Sequence, residues 1–132
     1  MLTVADLMTT SVVTLSADDT LGQAAATLAS LGVSGAPVCD AEQKVVGVFS
    51  KSDVVDRLID AKASPESKVS EHMTAVPVTL RGDDTVEAAV KVMAQRMIHR
   101  VIVLDAAGKL AGILSPLDVL RAVRDGRLRI DG

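Results

Sequence analysis

Two nine-residue stretches of the chain nearly repeat one another: 47–55 reads GVFSKSDVV and 112–120 reads GILSPLDVL. Each sets a serine three residues ahead of an aspartate at the start of an apolar run, Ser50 with Asp53 and Ser115 with Asp118. That spacing supports two kinds of chemistry. The first is structural, a capping box in which serine and aspartate satisfy the unpaired N–H groups of a helix start. Pro116 falls at the first helical position, where its missing N–H costs nothing. The second is recognition. A helix N-terminus offers N–H groups and a positive dipole end to an anion such as phosphate. A carboxylate one turn in accepts both hydrogen bonds of a ribose diol. Gly47 and Gly112, three residues before the serines, would leave room for a ligand beside the strand. One such tetrapeptide is usually structural; its appearance twice favours recognition.

A further polar group lies in IHRVIV at 98–103. His99 and Arg100 stand at the mouth of an otherwise apolar strand. An arginine there offers a bidentate fork to phosphate oxygens, with histidine as a second donor. The alternative is an exposed strand end that carries two polar residues. The matching place earlier in the chain holds Ser34 and Gly35, which give hydroxyl and backbone donors without charge. Catalytic groupings are weak by comparison. Asp18/Asp19 and Asp83/Asp84 precede apolar helices and read as caps rather than an acid/base dyad. His72 and His99 have no cysteine or second histidine at metal-ligand spacing. His72 reads as a surface residue. Cys39, within a strand, reads as a small buried residue rather than a reactive thiol. No nucleophile elbow or phosphate-binding glycine loop occurs, so no enzyme activity, catalytic residue or metal site is expected.

The elements that must position these groups follow from a repeat. A shift of 65 residues that carries Ser50 onto Ser115 also lays VADLMTTSVVTLSADDT over VSEHMTAVPVTLRGDDT and APVCDAEQKVVGVFS over VIVLDAAGKLAGILS. About 19 of the 55 aligned positions are identical, which marks a tandem structural repeat. VVTL and PVTL read as short strands. The DDT after each starts a helix, near 20–31 and 85–97, with Asp84 and Glu87 at capping-box spacing and Ala88, Val92, Ala89 and Met93 as an apolar stripe. Two more strands follow in each copy, joined by the turns AEQK and AAGK, and a last helix begins near Lys51 or Pro116. The expected fold is α/β of the α+β type, two β-α-β-β-α repeats at 1–60 and 69–124. A linker at 61–68 joins them, and the polar tail 125–132 frays at its end.

Composition narrows the partners. The chain has 132 residues, is 48% apolar, and has one phenylalanine, Phe49, with no Trp or Tyr. Neither half, at about 55 residues, would bury enough surface to be stable alone, so the two share one core. A net charge of −3 argues against nucleic acid, and the missing aromatics remove stacking platforms for single strands. No apolar run approaches the ~20 residues of a membrane span. MLTVADLM lacks the features of a secretory signal, and a lone cysteine closes no disulfide. The expected location is the cytoplasm.

The duplicated β-α-β-β-α pattern, the VTL openings, the DDT helix starts and the Gly-x-x-Ser-x-x-Asp endings resemble a pair of CBS domains. Such tandem modules occur in cystathionine β-synthase, inosine monophosphate dehydrogenase and the γ subunit of the AMP-activated kinase. The resemblance covers 4–58 and 69–123. It implies a regulatory module whose clefts between two repeats bind adenosine ligands, AMP, ADP or ATP, with S-adenosylmethionine or NAD as further candidates. By the same resemblance Asp53 and Asp118 hold ribose hydroxyls, with Ser50 and Ser115 near ribose or phosphate. His99 and Arg100 meet phosphates, with Ser34 and Gly35 as their counterparts. Adenine lies among Val13, Thr14, Val78, Thr79, Val33, Ala36 and Val101. Two departures stand out: Ile102 replaces a proline that Pro37 keeps, and the first half lacks a basic pair, so its site binds more weakly or takes a less charged ligand. The resemblance also implies a homodimer, favoured by small-residue faces such as AAATLASLG at 24–32. A pair without an effector domain must signal through an unidentified partner protein. The rival reading is a scaffold without ligand. Intact Asp53 and Asp118 count against it, because a cap alone would accept Glu.

Overall fold

The structure, a computed structural model, describes residues 2–59, 64–76 and 78–130. The elements in chain order are α1 Val4–Leu7, β1 Leu15–Ser16, α2 Leu21–Leu31, β2 Gly35–Cys39, β3 Val45–Ser50, α3 Lys51–Ile59, a 3-10 turn Val69–Glu71, β4 Thr79–Arg81, α4 Val86–Arg96, β5 Val101–Leu104, β6 Leu110–Leu114 and α5 Pro116–Arg124. The β-α-β-β-α order occurs twice, as a mixed α/β fold. The first strand of each repeat is shorter than its apolar run: of VVTL only Leu15 is in β1, and β4 opens at Thr79, with Pro77 outside the described residues. Two further elements, α1 and the 3-10 turn, are too short to show a helical period, although Thr3 and Asp6 stand at capping-box spacing at the start of α1.

The chain forms two compact units whose boundaries cut across the repeat. One is Val13–Pro77; the other joins Met1–Val12 to Val78–Gly132. The opening segment of each repeat is therefore built into the unit that holds the body of the other repeat.

In Val13–Pro77, β1 runs parallel to β2, with Leu15 opposite Val38, and β3 runs antiparallel to β2, with Gly35 opposite Ser50. Thr20 caps α2: its hydroxyl accepts from the Gln23 N–H at 3.1 Å, and its own N–H donates to Gln23 Oε1 at 2.9 Å. The helix ends on Gly32 in the left-handed region, the usual role of glycine there. Leu15, Leu21, Leu28, Val38, Phe49 and Val69 form the core. Burial of a side chain such as Phe49 contributes about 1.5–3 kcal/mol. The near part of the linker is held to α2, since Leu21 and Gly22 donate to the Ser67 and Pro65 carbonyls. Residues 60–63, which include the start of the linker, lie outside the described residues.

The other unit repeats the plan. β4 runs parallel to β5, with Thr79 opposite Ile102, and β6 antiparallel to β5, with Val101 opposite Leu114. Thr85, not Asp84, caps α4, its hydroxyl accepting from the Ala88 N–H at 3.1 Å. The expected box of Asp84 with Glu87 does not form. Asp84 closes the preceding turn by accepting from the Arg81 N–H at 2.8 Å, and Glu87 pairs with Lys91 at 3.2 Å. Val4, Leu7, Leu80, Ala89, Met93, Val103 and Leu114 fill this core, so each unit has its own core in place of the single shared one expected from the sequence.

Backbone hydrogen bonds seat the exchanged segments. Val4 and Ala5 donate to the Asp84 and Gly82 carbonyls, both at 2.9 Å; Val69 and Ser70 donate to the Asp19 and Ala17 carbonyls at 2.8 and 3.2 Å. Asp6 closes the start of α1 by accepting the Thr3 N–H at 2.8 Å, which holds its carboxyl below the usual carboxylate range. Arg127 donates to the Asp6 carbonyl at 3.2 Å, and Leu128 packs on the core. The tail is thus tied down as far as Leu128, and its last two residues, 131–132, lie outside the described residues.

Candidate ligand site

In Val13–Pro77 the strand directions bring the sequence-distant polar residues to one end of the sheet. Parallel pairing runs β1 and β2 the same way, with Leu15 opposite Val38, and antiparallel pairing puts the end of β3 beside the start of β2, with Ser50 opposite Gly35. Thr14 therefore precedes β1, Ser34 and Gly35 open β2, and Ser50 leads from β3 into α3, all at that end. The Lys51 N–H donates to the Ser34 carbonyl at 2.9 Å, which fixes the α3 start against the β2 start. Gly35 permits the close pairing: a β-carbon there would lie 3.3 Å from Ser50 Cα and 3.2 Å from the Phe49 carbonyl. The same ordering gathers Thr79, His99, Arg100, Val101, Ser115 and Asp118 in the other unit. Arg100 stands where Gly35 does, and β5 begins one residue later than β2.

Both Ser-x-x-Asp motifs form complete capping boxes. Asp53 Oδ2 accepts from the Ser50 N–H and hydroxyl at 2.9 and 3.1 Å, and Asp118 Oδ2 accepts from the same groups of Ser115 at 2.8 and 3.1 Å. Pro116 occupies the start of α5 as its type requires. Asp53, Asp118, Ser50, Ser115, Val33, Ser34 and Gly35 are half-buried, while Thr14, Thr79, His99 and Arg100 are exposed. Ala36 and Val101 turn into the two cores, so only their backbone is available at the sheet end.

The room expected beside Gly47 and Gly112 is not there. A β-carbon on Gly47 would sit 2.6 Å from Met73 Sδ and 3.0 Å from the Thr74 carbonyl; on Gly112 it would sit 2.8 Å from both Met8 Sδ and the Thr9 carbonyl. These glycines receive the Met-Thr pair of the exchanged segment. Thr9 and Ile113 exchange two backbone hydrogen bonds of 2.9 Å, as do Thr74 and Val48. The glycines are thus packing positions rather than ligand space.

Two residues outside the sequence reading reach the site. The Thr9 hydroxyl donates to Asp118 Oδ1 at 3.4 Å. Lys51, exposed at the first position of α3, carries a positive charge at the sheet end where Ser34 and Gly35 have none. Lysine next to Ser50 in the sequence was the available signal for the second; nothing local signals Thr9.

His99 lines an open groove of about 440 Å³ whose other walls include Met93, Met97, Ile98, Pro116 and Leu120. His72 is half-buried at the end of the 3-10 turn rather than a plain surface residue. Cys39 is buried, and burial pushes its thiol up, as a packing role requires. Among the described residues no group of three His, Cys, Asp or Glu stands close enough to hold a metal ion. No helix among them is long and apolar enough to cross a membrane.

Known proteins match the chain over both repeats. The CBS domain profile matches residues 4–60 and again 69–125. Inosine-5'-monophosphate dehydrogenase of Methanocaldococcus jannaschii is 33% identical over 125 residues, covering 90% of the chain but 24% of the enzyme. An uncharacterised protein of the same organism is 30% identical over 120 residues, 91% of the chain and 39% of that protein. The chain thus spans between about a quarter and two-fifths of these two relatives. Among solved structures, CBSX2 in complex with AMP superposes with a TM-score of 0.83 at 28% identity, covering 97% of the chain and 100% of CBSX2. The CBS domain pair of protein MJ0100, in complex with 5'-methylthioadenosine and S-adenosyl-L-methionine, has a TM-score of 0.77 at 23% identity, covering 94% and 97%, and bears on the fold alone.

Proposed function

The chain belongs to the CBS-domain family, with two copies in tandem, and from that premise we propose that it is a regulatory module sensing an adenosine-containing ligand, AMP, ADP or ATP. The observation that carries this reading is the paired Ser-x-x-Asp helix starts, each with a half-buried carboxylate beside the open end of a three-stranded sheet. AMP in CBSX2, which is similar over nearly the full length of both chains, supports the ligand class. Asp53 and Asp118 bind the ribose diol, Ser50 and Ser115 lie near ribose or phosphate, and Arg100 with His99 receives phosphate. Lys51 supplies the charge at the Asp53 end. Ser34 and Gly35 take the place of His99 and Arg100 on the phosphate side of the Asp53 end, and Thr14, Thr79 and the backbone of Val33, Ala36 and Val101 face the base. The chain itself binds rather than catalyses, works in the cytoplasm, and passes its occupancy to a partner protein.

The test is calorimetric titration with AMP, ADP, ATP, NAD and S-adenosylmethionine. Saturable binding of at least one adenine nucleotide is expected; no binding by any of the five overturns the reading. One observation favours a second reading, a scaffold without ligand: in both motifs Asp Oδ2 is fully engaged by the serine, so the cap alone gives each aspartate a role.

The module acts as a homodimer. Leu117 and Leu120 on α5, with Met97 at the end of α4, leave large apolar side chains exposed. Of the small-residue stretch on α2, Ala24 and Leu28 go into the core of their own unit, which leaves Ala26 and Ala29 outside. Light scattering at micromolar concentration should give the dimer mass, and a monomer contradicts this.

A further inference from the structure

Thr9 belongs to none of the groups that the sequence ties to a ligand, yet it is fixed to the carboxylate most exposed to that role. Its backbone is clamped to Ile113 by two hydrogen bonds of 2.9 Å, and Met8 before it is seated over Gly112. From that position its hydroxyl donates to Asp118 Oδ1 at 3.4 Å, while Ser115 holds Oδ2. Asp118 is therefore anchored through both oxygens. Each carboxylate oxygen has two acceptor sites, so Thr9 leaves one on Oδ1 for a ligand hydroxyl. The equivalent Thr74 is clamped to Val48 in the same way, but among the described residues no hydroxyl bond joins it to Asp53, which its box holds through Oδ2 alone.

We infer that Thr9 is a positioning residue for Asp118, so that the opening segment of the chain forms part of the ligand site at Asp118 and has no such role at Asp53. The inference rests on the reading that these aspartates hold ribose hydroxyls. Its physical basis is preorganisation: a carboxylate already fixed about its last torsion loses less freedom when the diol binds. The long contact sets the scale at a modest effect.

The test uses the full chain with Asp53→Ala, or Asp53→Glu should the alanine variant fail to fold, so that titration reports the Asp118 site. Thr9→Val should weaken adenosine and AMP by the same factor, about threefold, the low end of what a hydrogen bond contributes. Thr9→Ser should restore both. Thr74→Val, made with Asp118→Ala or Asp118→Glu, should leave affinity within about twofold of its parent, below the span of a typical hydrogen bond. Unchanged affinity in Thr9→Val, failure of serine to rescue, weakening of AMP without adenosine, or an equal loss from Thr74→Val each overturns the inference while the adenosine reading stands. A parent chain that binds neither ligand overturns that reading, and the inference with it.

Discussion

Met8 Sδ lies where it would be 2.8 Å from a β-carbon on Gly112, and Met73 repeats this relation with Gly47 at 2.6 Å. Each methionine fills the space left by a missing side chain, and each sits on the exchanged segment of its unit. Gly112→Ala should therefore destabilise the protein by about 1–3 kcal/mol, the usual cost of overpacking. The new methyl also meets the Thr9 carbonyl at 2.8 Å, which is backbone and cannot swing away as a thioether can. Gly47→Ala, whose carbonyl neighbour is at 3.0 Å, should cost less. Urea denaturation of both variants measures the order; negligible losses would show that the fit is loose, and equal losses that the carbonyl distance does not set the order.

This pairing also marks where sequence reading stops. The Ser50–Asp53 and Ser115–Asp118 caps were legible because a box needs only three-residue spacing, but the same spacing at Asp84–Glu87 misled, since Thr85 is the cap there. The order of elements along the chain was legible from apolar runs and the turns between them; the pairing of strands within each sheet was not. Segment exchange was not. Met8 and Met73 are identical, as are Gly47 and Gly112, so the residues alone do not distinguish Met8 on Gly47 from Met8 on Gly112. The same degeneracy hid Thr9, whose bond to Asp118 exists only after the exchange. Asp53 and Asp118 were visible as candidates because chemistry and spacing coincide within four residues. The glycines misled for a related reason: absence of a side chain reads as room until the filling group is known.

The turns between paired strands give a second stability test. Asp40 accepts from the Glu42 and Lys44 N–H groups at 2.9 and 3.0 Å, and Asp105 accepts from Ala107 and Lys109 at 2.8 and 2.9 Å. These identical turns need a left-handed residue, supplied by Gly108 at φ 81 in one and by Gln43 at φ 66 in the other. That conformation costs a non-glycine residue roughly 1–2 kcal/mol, partly offset by the extra freedom glycine loses on folding. Gln43→Gly should raise the urea midpoint, by up to about 1 kcal/mol of stability, while Gly108→Ala should lower it by a similar amount. A fall in stability with Gln43→Gly would mean that its side chain matters more than its backbone.

Arg100 tests the phosphate role. It precedes β5 and is exposed, at the position where Gly35 opens β2. Losing a hydrogen bond to a charged group costs about 1.5–3 kcal/mol, so Arg100→Ala should weaken AMP by roughly tenfold or more. Adenosine has nothing for the guanidinium to hold and should bind within about twofold of wild type, less than one hydrogen bond is worth. Parallel titrations decide it. Equal weakening of both ligands assigns Arg100 a structural role instead.

Asp118→Glu separates cap from contact. Asp118 sits at the third helical position of α5 with its box closed, and glutamate is a standard partner there. Without ligand the variant should melt close to wild type. The added methylene, however, carries the carboxylate toward the space a ribose diol would occupy and removes the geometry in which Thr9 meets Oδ1. In wild type, a ligand at about 100 times its dissociation constant adds roughly 2.7 kcal/mol of stability. Most of that increment should disappear in the variant if Asp118 is the dominant ligand contact; any remainder measures binding at Asp53. Thermal melts with and without AMP suffice, run beside Asp53→Glu to apportion the increment between the two ends. Were both glutamate variants stabilised by AMP as fully as wild type, the aspartates would be caps, and the repeated nonapeptide a consequence of folding alone.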